Sequence, residues 1–339
     1  MSNQMTGSGF DTVMAILSHV YFGPLVRKLV QSGVPDLLDA GPAAAADLAV
    51  QAGLHPLSLE RVLRALTAFG VFSEVHSGTF GNNEASRLFR NRPGGLRNYA
   101  LFATSEQFLR SAAALGHSLE TGGAAHDHVF GQTVWGYMRD NPEEGAAFNR
   151  GLAEVRKDEH GEVAQAYDWT GVNTVVDVGG GAGSLIAAIL QVSPDMTGTL
   201  LDLPEVLGDA DHLLVQRGVR ERCNLIGGSF FDPIAATGDR WILSQVLHDW
   251  PDSECRIILR RCREEMRSAD RLLVVEMVTV PGQPNVAIAI IDIAMMIFGG
   301  EARQRTEDEY NELFAATGFA LARVLPTTTG FSIIEAKPV

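Results

Sequence analysis

The feature that most restricts the fold is an alternation of short apolar segments with helical stretches in the second half of the chain. Segments rich in aliphatic and β-branched residues predict strands over residues 174–178, 199–201, 224–226, 241–246 and 272–276. Strands that alternate with helices are typical of a doubly wound, mainly parallel sheet. Residues 169–339 are therefore predicted to form an α/β domain.

The last two predicted strands differ from the others in how they are connected. They cover residues 320–325 and 331–336, and only residues 326–330 lie between them. A parallel crossover needs a dozen or more residues, so this connection is too short for one. The sheet is therefore expected to end in an antiparallel hairpin.

The first 168 residues show a mainly helical pattern. A first helix is predicted over residues 11–31, with apolar side chains on several sides, and such a helix needs cover on all of them. A partner chain or the rest of the same chain can supply that cover. Two shorter helices, 42–52 and 57–69, precede a hairpin formed by residues 71–75 and 79–81. This order resembles a winged helix, and residues 1–168 are predicted to form one mainly helical domain.

Charge argues against a nucleic-acid partner for this winged-helix-like module. The chain carries 27 Lys and Arg against 41 Asp and Glu, a net charge of −14. The second short helix offers only Arg61 and Arg64, beside Glu60, which is too little for a phosphate footprint. The same acidic balance disfavours an anionic membrane surface. The module is therefore expected to have a structural role.

Neither secretion nor membrane insertion is predicted. The first ten residues lack a basic region followed by an apolar one. The longest apolar run, residues 286–298, is too short to span a bilayer and contains Asp292, so it is predicted to be a buried helix. The 3 cysteines lack the spacing of a metal site. A reducing, cytoplasmic compartment fits this pattern.

A glycine-rich segment joins the first predicted strand to the helix that begins near Ser184. Glycines at 179, 180, 181 and 183 allow a ligand to approach the backbone closely, and a helix N-terminus presents free N–H groups. Asp177 precedes them, where its charge would oppose a pyrophosphate but could accept hydrogen bonds from a cationic amino-acid ligand. Asp202 ends the second strand, where an acid can hold both ribose hydroxyls. A tight turn with an incidental acid is the alternative interpretation.

A second cluster follows the fourth strand. His248 lies directly after that strand, and Glu276 ends the fifth, its expected neighbour in the sheet. Ligands bind beyond the carboxyl ends of such strands, so the two side chains can form a general base with its orienting carboxylate. In the alternative interpretation Asp249 or Asp252 caps the helix 253–266, and His248 merely fills space.

A third pair, His126 and His128, lies in a glycine-rich stretch. Two histidines separated by one residue could bind a metal ion, but an isolated pair in a loop is more often solvated. No metal site is predicted for this chain.

The motifs together resemble a known family. Residues 176–183, 201–205, 228–231, 246–250 and the Arg305–Thr306 pair occur in the order and spacing of the S-adenosylmethionine-dependent small-molecule O-methyltransferases of bacterial natural-product and plant phenolic pathways. The resemblance covers essentially the whole chain. It implies S-adenosylmethionine as the cofactor and a homodimer formed through the winged-helix-like domain.

The resemblance also implies which residues contact the cofactor. The glycines would pass beside its methionine part with Asp177 near by, Asp202 would hold the ribose, and Leu203 would lie against the adenine. Ser229 and Phe230 would flank the adenine, and Ser244 occupies another cofactor position. The implied cofactor residues are thus Asp177, Gly179, Gly181, Gly183, Asp202, Leu203, Ser229, Phe230 and Ser244.

For the reaction itself, the resemblance makes His248 the general base and Glu276 the carboxylate that positions it. The acceptor pocket would be shaped by Trp135, Phe148, Asp249 and Met295. The expected reaction is methylation of a hydroxyl group on a small aromatic secondary metabolite. A phenolic hydroxyl is the favoured acceptor. Three alternatives stay open: C-methylation of an α-keto acid with metal assistance, use of the cofactor without methyl transfer, and a ligand-sensing regulator.

This chain departs from the family at three positions. Many relatives have Asp where this chain has Ser229, and some have a basic residue in place of Ser244. The family commonly has a second glutamate where this chain has Gln304. An amide supplies no negative charge to an imidazole, so His248 is expected to depend on Glu276 alone.

Overall fold

The computed structural model describes residues 9–155 and 157–339. Its α-helices are α1 Gly9–Ser18, α2 Phe22–Gln31, α3 Val34–Leu37, α4 Ala45–Ala52, α5 Pro56–Ala68, α6 Glu84–Arg87, α7 Arg97–Ala103, α8 Glu106–Ala113, α9 Leu115–Thr121, α10 Ala125–Phe130, α11 Val134–Asp140, α12 Pro142–Val155, α13 Lys157–Ala166, α14 Ser184–Val192, α15 Leu207–Gln216, α16 Asp252–Glu265, α17 Val286–Gly299 and α18 Glu307–Ala315. Its strands are β1 Ala43–Ala44, β2 Ser73–His76, β3 Thr79–Gly81, β4 Thr174–Val178, β5 Thr197–Asp202, β6 Cys223–Gly227, β7 Arg240–Ser244, β8 Arg271–Glu276, β9 Phe319–Pro326 and β10 Ser332–Pro338.

The described residues form two compact units, each with its own internal contacts. One unit contains residues 9–109 and 146–155, and the other contains residues 110–145 and 157–339. Residues 110–145 and 157–168 thus group with the sheet by these contacts. The domain boundary expected at residue 168 stays a prediction.

The first unit contains the predicted winged-helix-like pattern. Helices α4 and α5 are followed by the β2–β3 hairpin, and β1 pairs with β3 to complete a small antiparallel sheet. Leu48, Leu63 and Phe80 are buried between these elements, which places the apolar face of each helix on the hairpin.

The single first helix expected over residues 11–31 is wrong. The chain forms α1, a 3-10 turn at His19–Tyr21, and α2, and the two helices are bent by 48°. Pro24 explains the break, because it has no N–H to donate to the Val20 carbonyl and its ring collides with that carbonyl. Much of the apolar surface of this segment is exposed, as at Phe10, Val13, Ile16, Leu17, Val20 and Tyr21.

The second unit is built on the predicted doubly wound sheet. Its strand order is β6-β5-β4-β7-β8-β10-β9. The pairs from β6 to β8 are parallel, whereas β10 is antiparallel to both β8 and β9, so the predicted terminal hairpin is confirmed. Neighbouring residues of one strand belong to opposite cores: Val175 packs with α14, and Val176 packs with α16.

The apolar run at residues 286–298 forms a helix as predicted, but the prediction that this helix is buried is wrong. In α17 only Ile297 is buried, while Val286, Ile290 and Ile293 are at least 47% exposed. One face of α17 packs on α9, α10 and the turn that carries His248, and the face with Val286, Ile290 and Ile293 stays exposed among residues 9–155 and 157–339. Hydrophobicity predicts that a side chain favours burial, but it does not supply the neighbour.

Among the described residues, no single helix combines the length and the apolar composition needed to cross a membrane. Only the bent pair Thr12–Ser18 and Phe22–Gln31 meets the two conditions together.

Candidate active site

The chain reverses its direction across the sheet at β4. The chain moves outward from β4 to β5 and β6 and then returns to add β7 on the other side of β4. Loops that follow β4 and β7 therefore diverge, which opens a crevice at the carboxyl ends of these strands. Both motif clusters, the glycine-rich segment and the His248 turn, lie at this reversal.

The glycine-rich segment has a backbone that only glycine adopts without strain. Gly179, Gly181 and Gly183 have φ of 73°, 56° and 77°. A Cβ on Gly180 would lie 2.8 Å from both Asp177 Oδ2 and Leu200 Cγ, whereas a Cβ on Gly181 would meet nothing within 4 Å. The loop therefore closes over Asp177 and β5, and its open surface is at Gly181.

Asp177 is a buried carboxylate without a counter-charge. It is 1% exposed, and neither oxygen has a hydrogen-bond partner of good geometry among the described residues. Burial, and second the negative charge of Asp202, raise its pKa to about 7, while the backbone N–H of Ile186 opposes the rise. A buried acid in this condition favours a cationic ligand group beside it.

Asp202 connects β5 to the glycine-rich loop. Its Oδ2 accepts the Gly181 N–H at 2.7 Å, and its Oδ1 accepts the Leu203 N–H at 2.7 Å. Burial raises the pKa of Asp202, and these two N–H donors oppose that rise. Each oxygen keeps a further lone pair for a ligand hydroxyl. Leu203 beside it is 40% exposed, as a side chain that receives a ligand would be.

The other predicted cofactor residues surround the same loop. The Phe230 ring lies 3.3 Å from the position of a Cβ on Gly179. Ser244, at the end of β7, has a buried Oγ without a partner among the described residues. Ser229 is engaged locally, because its Oγ accepts the Phe231 N–H at 3.2 Å. Two unpartnered buried polar groups beside an open glycine backbone fit a cationic amino-acid group.

His248 lies in a 3-10 turn, Leu247–Asp249, that follows β7, and its side chain is 5% exposed. Its Nδ1 is 3.0 Å from Glu276 Oε2, and its backbone N–H is donated to Glu276 Oε1 at 3.2 Å. Glu276 is fully buried at the end of β8, which pairs in parallel with β7. The structure thus brings His248 and Glu276 together.

Two further groups contact the imidazole. The Gln304 amide lies 2.8 Å from Nδ1 but adds no charge there, so the expectation that His248 depends on Glu276 alone stays a prediction. Asp249 Oδ1 lies 3.3 Å from Nε2. Both ring nitrogens face a carboxylate. Glu276 is the nearer one and is fully buried, whereas Asp249 is partly exposed, so the proton is favoured on Nδ1. The amide oxygen of Gln304 can then accept from Nδ1, since amide orientation follows the hydrogen-bond network.

Replacing Gln304 by glutamate is expected to shift His248 towards its imidazolium form at a given pH, because a second carboxylate beside Nδ1 stabilises that cation. The shift is measured by NMR of protein labelled with ¹⁵N-histidine, with the His248 signal assigned from a His248→Gln variant. Gln216→Glu, at an exposed position of α15, adds the same charge and should leave the signal unmoved. An unchanged imidazolium fraction in Gln304→Glu would show that the contact does not reach the ring.

The capping interpretation of this turn is wrong. Helix α16 begins after Pro251 and has no side-chain cap at that residue. The Asp252 carboxylate instead accepts from Arg303 and Arg305. The sequence carried no sign of this pairing, because the partners are 53 residues apart.

The predicted acceptor residues are distributed over both units. In the unit with the sheet, Trp135 stacks on Trp250 with ring centroids 6.3 Å apart, and Met295 is half-buried on α17. Phe148 belongs to the other unit, where its ring packs edge-on against Phe102 at 5.0 Å. Their roles stay predictions.

The loop expected at His126 and His128 is wrong, although His128 is exposed as expected. Both residues lie in α10, where His126 is fully buried among Phe130, Tyr137 and Phe298. Burial lowers the pKa of His126. Across residues 9–155 and 157–339, no cluster of three or more His, Cys, Asp or Glu side chains could hold a metal ion.

Comparison with known proteins agrees with this geometry. Residues 112–320 match the family model of the O-methyltransferase domain, and residues 16–92 match that of the O-methyltransferase dimerisation domain. The chain is 40% identical to the phenazine O-methyltransferase PhzM of Lysobacter antibioticus, covering 91% of this chain and 90% of that protein. It is 35% identical to the mitomycin biosynthesis 6-O-methyltransferase of Streptomyces lavendulae, covering 94% and 92%.

A solved structure shows the same fold with ligands present. NcsB1, an O-methyltransferase from neocarzinostatin biosynthesis in complex with S-adenosylmethionine and 2-hydroxy-5-methyl naphthoic acid, has a TM-score of 0.82 and 33% identity, covering 94% of this chain and 96% of that one. The predicted fold class, family and cofactor are confirmed by these matches. This chain belongs to the S-adenosylmethionine-dependent O-methyltransferase family of secondary metabolism and carries its dimerisation domain.

Proposed function

We propose that this enzyme methylates a phenolic hydroxyl of a small aromatic metabolite, with His248 as the general base. The observation that carries the proposal is that two side chains contact His248 Nδ1: Glu276 Oε2 lies 3.0 Å from it, and the Gln304 amide lies 2.8 Å from it. With a proton held at Nδ1, the ring can accept another only at Nε2. A phenol has a pKa of about 10 and is protonated at neutral pH, so its attack is assisted by a base.

When bound, S-adenosylmethionine supplies an already activated methyl group. The protein then has to hold the acceptor in line and remove its proton. Asp177, Ser244 and the Gly181 backbone would bind the amino-acid part of the cofactor, and Asp202 would bind its ribose. As His248 takes the proton, Glu276 and Asp249 on its two sides stabilise the imidazolium that forms.

The acceptor class rests on aromatic surface and on the relatives. Trp135 and Trp250 stack in the unit that contains His248, and such rings favour flat aromatic ligands. NcsB1 holds a hydroxylated naphthoic acid. We place Trp135, Asp249 and Met295, which all belong to the unit that contains His248, in the acceptor pocket as part of this proposal.

Assembly and compartment belong to the same proposal. The dimerisation domain at residues 16–92 includes exposed apolar residues such as Ile16, Leu17 and Val20, which a second copy of the chain would cover. Cys223, Cys255 and Cys262 are free and buried, which supports a reducing, cytoplasmic compartment.

The test uses S-adenosylmethionine with a trideuterated methyl group. The purified enzyme is incubated with 1,4-dihydroxy-2-naphthoic acid, a hydroxyphenazine, a catechol, an aromatic amine and an α-keto acid, each with and without a chelator. Mass spectrometry is expected to find the label on a phenolic oxygen, insensitive to the chelator. A label on carbon that the chelator abolishes would overturn the proposal in favour of metal-assisted C-methylation. A label on the amine alone would overturn the oxygen assignment.

A further inference from the structure

Arg305 is a buried cation that bonds to the backbone on both sides of His248. Its side chain is 0% exposed. One terminal nitrogen donates to the Leu247 carbonyl at 2.7 Å, and the other donates to the Trp250 carbonyl at 2.8 Å. Its Nε and second terminal nitrogen both donate to Asp252 Oδ1, at 3.0 Å and 2.8 Å. A planar guanidinium thus spans the whole turn from Leu247 to Trp250.

The backbone that leads into this turn is held in a costly conformation. Gln245 has a φ of 53°, which a residue with a Cβ rarely adopts. Such a conformation persists only where its surroundings impose it. The guanidinium is one such restraint, and the Cys255 thiol, which donates to the same two carbonyls at 3.2 Å and 3.3 Å, is a second.

The segment that carries Arg305 also determines the position of the amide on the imidazole. Gln304 precedes Arg305 directly, and its backbone N–H is donated to Asp292 Oδ1 of α17 at 2.7 Å. The Arg305 carbonyl accepts the Thr279 N–H at 2.9 Å. Residues 304 and 305 are therefore each held by a hydrogen bond to another part of the chain, Gln304 to α17 and Arg305 to Thr279.

We infer that Arg305 is the positioning residue of this site: its guanidinium fixes the turn from Leu247 to Trp250 and thereby keeps the His248 ring against Glu276 and Gln304. This inference rests on the proposed function, because it assigns the geometry of the base. It also gives a role to Arg305 of the Arg305–Thr306 motif, a residue that takes no direct part in the reaction.

The decisive variant is Arg305→Lys, because lysine keeps the charge and loses the planar fork. An ammonium group can reach one carbonyl or the carboxylate, but it cannot bridge Leu247, Trp250 and Asp252 in one plane. Arg303→Lys is the matched control. Arg303 pairs with the same Asp252 and with Glu309, and no hydrogen bond of the described structure joins it to Leu247 or Trp250.

The experiment combines an NMR measurement that needs no acceptor with steady-state kinetics. Each protein is labelled with ¹⁵N-histidine and saturated with S-adenosylhomocysteine, and long-range ¹H–¹⁵N spectra report which nitrogen of His248 carries the proton. The parent and Arg303→Lys are expected to show one tautomer, protonated at Nδ1. Arg305→Lys is expected to show a mixture of tautomers. With the phenol that accepts label, its kcat should fall about 10–100-fold with a KM changed less than threefold.

The outcomes separate positioning from general stability. A single Nδ1-protonated signal in folded Arg305→Lys, or a kcat within twofold of the parent, would overturn the inference. If Arg305→Lys does not fold, Asp252→Asn is the fallback, because it weakens the hold on the guanidinium at the partly exposed Asp252. The same mixture of tautomers is expected in this variant. A single Nδ1-protonated tautomer in folded Asp252→Asn would overturn the inference. Full turnover in His248→Gln would instead refute the proposed base, whatever the tautomer signals show for Arg305.

Discussion

Replacing His248 by alanine is expected to lower kcat by about 10²–10⁴-fold, the usual contribution of a general base, while the Kd for S-adenosylmethionine changes less than twofold. The loss falls on kcat because the side chain acts on the acceptor proton. The proposed cofactor residues Asp177, Gly181, Asp202 and Ser244 lie instead on β4, on the loop that follows it and at the ends of β5 and β7. Turnover is measured with the phenol identified by label transfer, and cofactor affinity by calorimetry.

Two further variants test this assignment. His248→Gln keeps most of the buried volume and should lose turnover equally, which excludes a cavity as the cause. His212→Ala, at an exposed position of α15, should behave as the parent. Turnover of His248→Ala within threefold of the parent would sink the general-base assignment.

The affinity for S-adenosylmethionine is expected to rise steeply between about pH 5.5 and pH 7, by up to about tenfold per pH unit. Asp177 has a pKa of about 7 in the folded protein, so below that pH it has to lose a proton before it can face the ligand ammonium. Above about pH 8 the amino group of the ligand loses its own proton, and affinity should fall again. Asp177→Asn should bind weakly at pH 7 and lose the steep rise.

The same shift predicts how the stability of the ligand-free protein depends on pH. The pKa of Asp177 is higher in the folded than in the unfolded chain, where it is about 4. The folded state therefore binds more protons between these values. Protonation of Asp177 therefore adds to the free energy of unfolding. This stabilisation is complete below about pH 4 and is lost as the pH rises to about 7, on the order of 4 kcal/mol in total. In Asp177→Asn this loss of stability between pH 4 and pH 7 should be absent, because an amide does not titrate.

Calorimetry in buffers of different ionisation enthalpy counts the protons released on cofactor binding, and urea unfolding across the same pH range gives the stability. Asp195→Asn, at an exposed position, is the control and should match the parent in both measurements. An affinity independent of pH between 5.5 and 7 would show that Asp177 does not face the cation.

Local sequence signals were sufficient for most of the sheet. Val175 and Val176 favour a strand because β-branched side chains suit extended backbone, and they reach opposite cores because successive side chains alternate. The short connection after Leu325 leaves no room for a parallel crossover, so the hairpin is a consequence of chain length. The break in the first helix also has a local cause, because Pro24 lacks the backbone N–H that a continuous helix needs.

Site residues on neighbouring parallel strands were also predictable. His248 follows β7 and Glu276 ends β8, and strands that are successive in a doubly wound sheet tend to pair. Their carboxyl ends then meet at one edge, which brings the two side chains to 3.0 Å. Asp177 and the glycine loop depend on a single strand-to-helix connection and need no knowledge of the rest of the fold.

Contacts between segments far apart in the chain needed the tertiary structure. Gln304 lies 56 residues from the imidazole that it contacts, and Arg305 lies 58 residues from the Leu247 carbonyl. The apolar composition of α17 predicts a buried helix, yet Ile290 and Ile293 are exposed, because the part of the chain that the structure describes places no neighbour on that face. His126 shows the reverse, a polar side chain enclosed by aromatic rings of its own helix and of two other helices.

Sequence patterns alone were enough to predict the antiparallel hairpin that ends the sheet, the glycine loop and the pairing of His248 with Glu276. These features follow from backbone preferences and from the connectivity of adjacent strands. The surroundings of His248 and the exposure of the apolar faces follow instead from the three-dimensional arrangement of the elements. Such contacts depend on where separate elements come to lie against each other, and no local preference encodes that position.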